Sequence, residues 1–99
     1  MEIQVYATLR DVVGRKTIAV DLPAPTDLAE LLERVCALHP ALRAKVLDAD
    51  GRLQPAIHIL VNGREVRQLD GLRTRVMPDD SVRILPPVGG GAPASTGRR

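Results

Sequence analysis

Few side chains in this sequence are spaced for catalysis. It has one cysteine and two histidines. Cys36 has no partner for an internal disulfide and no second cysteine for a metal site. It sits inside an apolar helical pattern, which favours a packing role over a reactive thiol. His39 precedes Pro40 and reads as a helix boundary, since no second ligand lies at metal-binding spacing. His58 has no Ser or Cys partner that sequence can identify and reads as a surface or partly buried strand residue. The remaining candidate carries no side chain at all: Gly89-Gly90-Gly91 follows Pro86-Pro87-Val88. A glycine run offers a narrow backbone with free φ and ψ, suited to threading into a confined site. Taken alone it would be a linker. Its meaning depends on what precedes it.

The chain has 99 residues, enough for one domain. With 44% hydrophobic and 26% charged residues, its composition is that of a folding globular chain rather than a disordered one. Phe and Trp are absent and Tyr6 is the only aromatic residue, so the core must be aliphatic. The same scarcity removes the stacking platform on which single-stranded nucleic acid is usually held. A net charge of +2, matched by Arg98-Arg99 alone, indicates no basic binding face. No stretch approaches the roughly 20 apolar residues of a membrane span, and a strand-like pattern begins where a signal sequence would lie. The expectation is a cytoplasmic protein with no nucleic-acid or membrane partner and no metal.

The elements that must carry the glycine run follow from periodicity. Glu2 to Thr8 alternate, with Ile3, Val5 and Ala7 on one face and Gln4, Tyr6 and Thr8 on the other, which predicts a half-buried strand. Gly14 marks a turn, and Lys16 to Leu22 predicts a second strand hairpinned on the first before Pro23 and Pro25 end it. Thr26 is placed as an N-cap, with Asp27 and Glu30 in the first turn. Leu28, Leu31, Leu32, Val35 and Leu38 then recur at the spacing of one helical face. His39-Pro40 closes this helix, Ala41 to Leu47 allows a further short turn, and Asp48-Ala49-Asp50-Gly51 is a strong turn sequence. Ala56 to Val61 reads as a strand, Asn62-Gly63 as a hairpin, and Glu65-Val66 as a short return strand. Asp70-Gly71 and Met77-Pro78-Asp79-Asp80 mark turns, and Ser81 to Leu85 is the last strand, with Val82 and Ile84 facing in.

One helix after a hairpin must cover one face of the sheet, and the crossover leaves the first and last strands adjacent and parallel. This predicts an α+β chain of the β-grasp (ubiquitin-like) class, a mixed sheet with one main helix. Residues 1–88 form the domain, and 89–99 form a flexible glycine tail with a C-terminal extension beyond Gly91. The uncovered face would show Tyr6, His58, Leu60, Arg83 and Leu85, more apolar than a solvated face needs. Tyr6, Leu60, Arg83 and Leu85 are therefore candidates for a docking face.

With these features in place the sequence resembles the MoaD/ThiS family of ubiquitin-like sulfur carriers over essentially Met1 to Gly91. The resemblance rests on Val5-Tyr6-Ala7-Thr8-Leu9-Arg10, on Val61-Asn62-Gly63, and above all on Asp80 through Gly91. The segment Ile59 to Arg67, with Gly71-Leu72-Arg73-Thr74, is similar to the CysO type, which serves cysteine biosynthesis. The resemblance implies that an E1-like enzyme adenylates a terminal glycine carboxylate, here Gly91, which is then converted to a thiocarboxylate. Pro86, Pro87, Val88, Gly89 and Gly90 would be the tail inserted into a partner. The carrier binds no cofactor; ATP and a sulfur donor are used by the partner. Adenylation suits the chemistry, because a carboxylate is a poor electrophile until it has a leaving group that sulfur can displace. On this reading the chain is not an enzyme but a protein substrate.

The family pattern ends at the second glycine, whereas this chain continues Ala92-Pro93-Ala94-Ser95-Thr96-Gly97-Arg98-Arg99. Removal of residues 92–99 by a zinc-dependent JAMM-type protease accounts for this. That is the preferred account; an added terminal remnant and a paralogue that no longer carries sulfur are the others. Four functions fit: a sulfur carrier for cysteine or a related metabolite with a cysteine-synthase-like acceptor, the small subunit of molybdopterin synthase docking on the large subunit, a lysine-directed protein modifier, and a plain β-grasp interaction module.

Overall fold

In the computed structural model, residues 1–86 are described. The expected domain boundary at residue 88 and the tail beyond it lie outside these residues. Strand β1 (Glu2–Val5) sits between β2 (Thr17–Ala19) and β7 (Val82–Leu85), with β4 (His58–Val61) and β5 (Arg64–Glu65) beyond β7. β1 runs parallel to β7, and every other pairing in this five-stranded sheet is antiparallel. Helix α2 (Leu28–Leu38) supplies the main apolar stripe, and α3 (Pro40–Val46) follows it directly. A second, two-stranded sheet pairs β3 (Thr26–Asp27) with β6 (Arg75–Val76).

The core forms because two periodicities meet. Along the strands every second residue turns inward: Ile18, Ile3, Val82 and Val61 make one row by register, and Val5, Ile84 and Ile59 the next. Leu28, Leu31, Leu32 and Val35 of α2 are buried in the same cluster. Burial of one such side chain contributes about 1.5 to 3 kcal/mol. Cys36 is buried with them, and burial pushes its thiol pKa up. That is the packing role its position predicts.

Four local expectations are corrected. The first strand stops at Val5: Ala7 takes a φ of 51° and is exposed rather than inward-facing, and Thr8–Val13 is a helix, α1. The cap of α2 is Asp27, whose Oδ1 accepts the Glu30 N–H at 2.8 Å, because Thr26 is taken up by pairing with Val76. Leu38, counted in the helical stripe, is 55% exposed, since α2 ends there and the chain turns away at His39. Glu65-Val66 is not wholly a strand, as Val66–Gln68 forms a 3-10 turn. The closure at His39-Pro40, the Asp48 turn and the Asn62-Gly63 hairpin are all found, Asp48 Oδ1 accepting the N–H groups of Asp50 and Arg52.

Candidate functional site

The outward residues of the sheet assemble by register into a band. Thr17, Gln4, Arg83, Leu60 and Glu65 are successive partners across all five strands. Beside this row, His58 pairs with Leu85. Leu60 and Leu85 are half-buried while Arg83 and His58 are exposed, so two aliphatic side chains sit in a polar frame. Tyr6 follows β1 on the same side: its hydroxyl donates to Gln4 Oε1 at 2.8 Å, and the Arg10 guanidinium lies 5.1 Å from its ring centre. Arg10 Nε in turn donates to the Val5 carbonyl at 2.8 Å, which fixes α1 against the end of β1. The structure thus brings together Tyr6, Leu60, Arg83 and Leu85, the four residues the alternation placed on one face.

One side of this face is braced by a network absent from the sequence reading. Glu65 Oε1 lies 2.7 Å from His58 Nδ1 and 3.1 Å from Arg67, and Glu65 Oε2 accepts the Arg67 N–H. Burial alone would raise the Glu65 pKa, but the bonds from Arg67 and the His58 ring outweigh it and hold the carboxyl below the usual glutamate range. Arg67 also donates to the Ile57 and Gln54 carbonyls at 2.6 and 2.8 Å, tying the 54–57 loop to the sheet edge. The only sequence signal was a Glu and an Arg two residues apart after a hairpin, which is too common to single out.

The tail leaves from the end of β7 at which β1 also ends, since the two strands are parallel. Pro86, expected to open the inserted tail, is buried at this rim. It lines a concavity of about 510 Å3 together with Thr8 and Leu9 of α1, Lys45 of α3, and Pro55 and Ile57 of the loop that Arg67 holds. Pro87, Val88, Gly89, Gly90 and Gly91, the remaining tail residues read as functional, lie outside the described residues. Among the described residues no group of three or more His, Cys, Asp or Glu could hold a metal ion. Nor is any described helix long and apolar enough to cross a membrane.

Residues 3–91 match the ThiS family. Small archaeal modifier protein 3 of Haloferax volcanii is 35% identical over 91 residues, covering 92% of this chain and 98% of the relative. The crystal structure of SAMP1 from Haloferax volcanii superposes with a TM-score of 0.80 at 32% identity, over 92% of this chain and 98% of that one. A chain in the BexX/CysO complex of Amycolatopsis orientalis gives 0.78 at 27% identity, over 91% and 98%. A CysO neighbour agrees with the type the Ile59 to Arg67 segment resembles. The chain belongs to the ThiS family of ubiquitin-like small modifiers and sulfur carriers.

Proposed function

We propose that this chain is a sulfur carrier whose Gly91 carboxylate, exposed by removal of residues 92–99 by a JAMM-type protease, is adenylated by an E1-like enzyme. The resulting thiocarboxylate is consumed by a sulfur-accepting synthase, taken as cysteine-synthase-like from the resemblance of the Ile59 to Arg67 segment to the CysO type. The observation that carries the reading is the alignment of the outer face with the exit of the tail. Leu60, Arg83 and Leu85 lie on the two strands next to Pro86, so a partner seated on that face sits beside the point from which the chain continues. Gly89-Gly90-Gly91 then enters a narrow nucleotide site without steric conflict. ATP and sulfur are handled by the partner. The chain acts in the cytoplasm.

Intact mass measurement of native protein tests this. A chain ending at Gly91 with one oxygen replaced by sulfur supports it, and a native chain that keeps Arg99 and still receives sulfur overturns the maturation step. A second reading, a protein modifier, is favoured by the Haloferax volcanii relative at 35% identity. It predicts branched lysine adducts on other proteins in the same samples.

A further inference from the structure

We propose that Lys45 is a self-acylation site: when Gly91 is activated and no acceptor takes it, the Lys45 amine captures the acyl group of its own chain. In the cell this rests on the activation proposed above. The first argument is scarcity. The chain has 12 arginines but only two lysines, Lys16 and Lys45, and a guanidinium is not acylated under mild conditions. With the N-terminus, three amines are available. Met1 is at the far end of the sheet, where β1 begins, and its ammonium donates to the Val20 carbonyl at 2.9 Å. Lys16 is at the exit end, its carbonyl accepting the Val5 N–H, but β1 and the Tyr6–Arg10 stack separate it from β7.

Lys45 alone of the three lines the same 510 Å3 concavity as Pro86, the last described residue before the tail. Gly91 is the fifth residue after Pro86, a reach of roughly 17 Å at full extension. Three of these five are glycines, which add no side chain to obstruct the approach. A tether this short holds its end at an effective concentration on the order of millimolar. The concavity keeps its shape because Gln54 donates to the Ala44 and Leu47 carbonyls while Arg67 holds the Gln54 and Ile57 carbonyls.

The step balances simply. The Lys45 Nζ lone pair forms a bond to the Gly91 carbonyl carbon, the bond from that carbon to the AMP oxygen breaks, AMP departs, and the proton lost from Nζ passes to solvent. The product is an isopeptide-closed ring that can no longer carry sulfur. It withdraws carrier from use when acceptor is scarce.

The test supplies activation chemically, so that it does not depend on an E1-like enzyme. Among the described residues the core lies wholly before residue 86, so a chain ending at Gly91 retains all of it. It is prepared as the thioester of a small thiol and held in mildly alkaline buffer. Nζ attack then expels the thiolate, which takes up the proton. The expected product has the mass of the free acid less one water, forms at a rate independent of protein concentration, and yields on trypsin digestion residues 44–52 joined to residues 84–91. Lys45→Arg should lower it at least ten-fold, and Lys16→Arg should leave it unchanged. A branch at Lys16 or Met1, a rate that rises with protein concentration, or hydrolysis alone overturns the proposal. Failure here leaves the sulfur-carrier reading standing. Conversely, ring formation from the thioester combined with no adenylation by ATP and an E1-like enzyme removes that reading and leaves only the reach of Lys45 to Gly91, with no cellular activation to use it.

Discussion

Ile59 and Leu60 are neighbours in β4, yet one is fully buried and the other half-exposed. The same division runs through β7, where Val82 and Ile84 face α2 while Arg83 and Leu85 face out. The inner set can be any well-packed aliphatic group, because its contribution is area removed from water. The outer set is not needed for the fold, so its half-buried leucines and its arginine are free to serve recognition. Substitutions on the two faces should therefore separate stability from activity.

The largest effect belongs to the inner face. Ile59→Ala should cost about 2 to 5 kcal/mol, and Leu32→Ala, from the helix that covers it, a similar amount. Urea unfolding of both variants measures this. A cost below about 1 kcal/mol for either would break the comparison, because it would mean that the inner face is not closely packed. Arg67→Ala comes next. It removes two bonds to loop carbonyls and one ion-pair partner of Glu65, and a cost of about 1.5 to 3 kcal/mol is expected for such charge-assisted bonds. Faster amide exchange confined to residues 54–57 would sharpen the assignment of Arg67 as the loop's anchor.

Glu65 gives a smaller, pH-dependent effect. Its folded pKa is depressed, so the stability it contributes is present above its unfolded pKa and lost as pH falls through the folded one. The stability advantage of the natural chain over Glu65→Gln should hold above about pH 5 and shrink progressively below about pH 4. A difference that is flat across this range, followed by chemical unfolding at several pH values, would show that the carboxylate gains nothing from its partners.

The regions that sequence reading captured are those with long, single-period patterns. The stripe of α2 and the alternation in β4 and β7 each placed several residues at once, and the outer-face residues Tyr6, Leu60, Arg83 and Leu85 came from the same alternation. Helix α1 was missed because Ala7-Thr8 continue the alternation of β1 for one more step. Its signal was present: Leu9, Val12 and Val13 have helical spacing, and Gly14, at φ 83°, donates its N–H to the Arg10 carbonyl as a helix stop rather than forming a simple hairpin turn. Strands β3 and β6 have two residues each, too few to show a period. The Glu65–Arg67–Gln54 bracing was invisible for another reason. It joins residues up to 13 apart through backbone carbonyls, which no side-chain pattern announces.

The smallest stability effect, and the sharpest test of the outer face, is Leu60→Asp. Register places Leu60 opposite Arg83 on one side and Glu65 on the other. A new carboxylate there gains an attractive neighbour and a repulsive one, each worth roughly 0.2 to 1 kcal/mol in a sheet, and these largely cancel. The half-buried leucine loses little burial, because that face has no covering layer. The net change in stability should therefore stay below about 1 kcal/mol. Recognition is affected more strongly, since a partner seated on this face would have to desolvate the carboxylate where it expects an aliphatic group. In a chain ending at Gly91, Leu60→Asp should lower the rate of ATP-dependent activation by an E1-like enzyme at least ten-fold while the unfolding midpoint barely moves. Leu38→Asp, exposed at the end of α2 away from the face, serves as the control and should leave both unchanged. Equal activation rates for the natural chain and Leu60→Asp would place the docking surface elsewhere and leave the difference between the two faces of β4 a matter of packing alone.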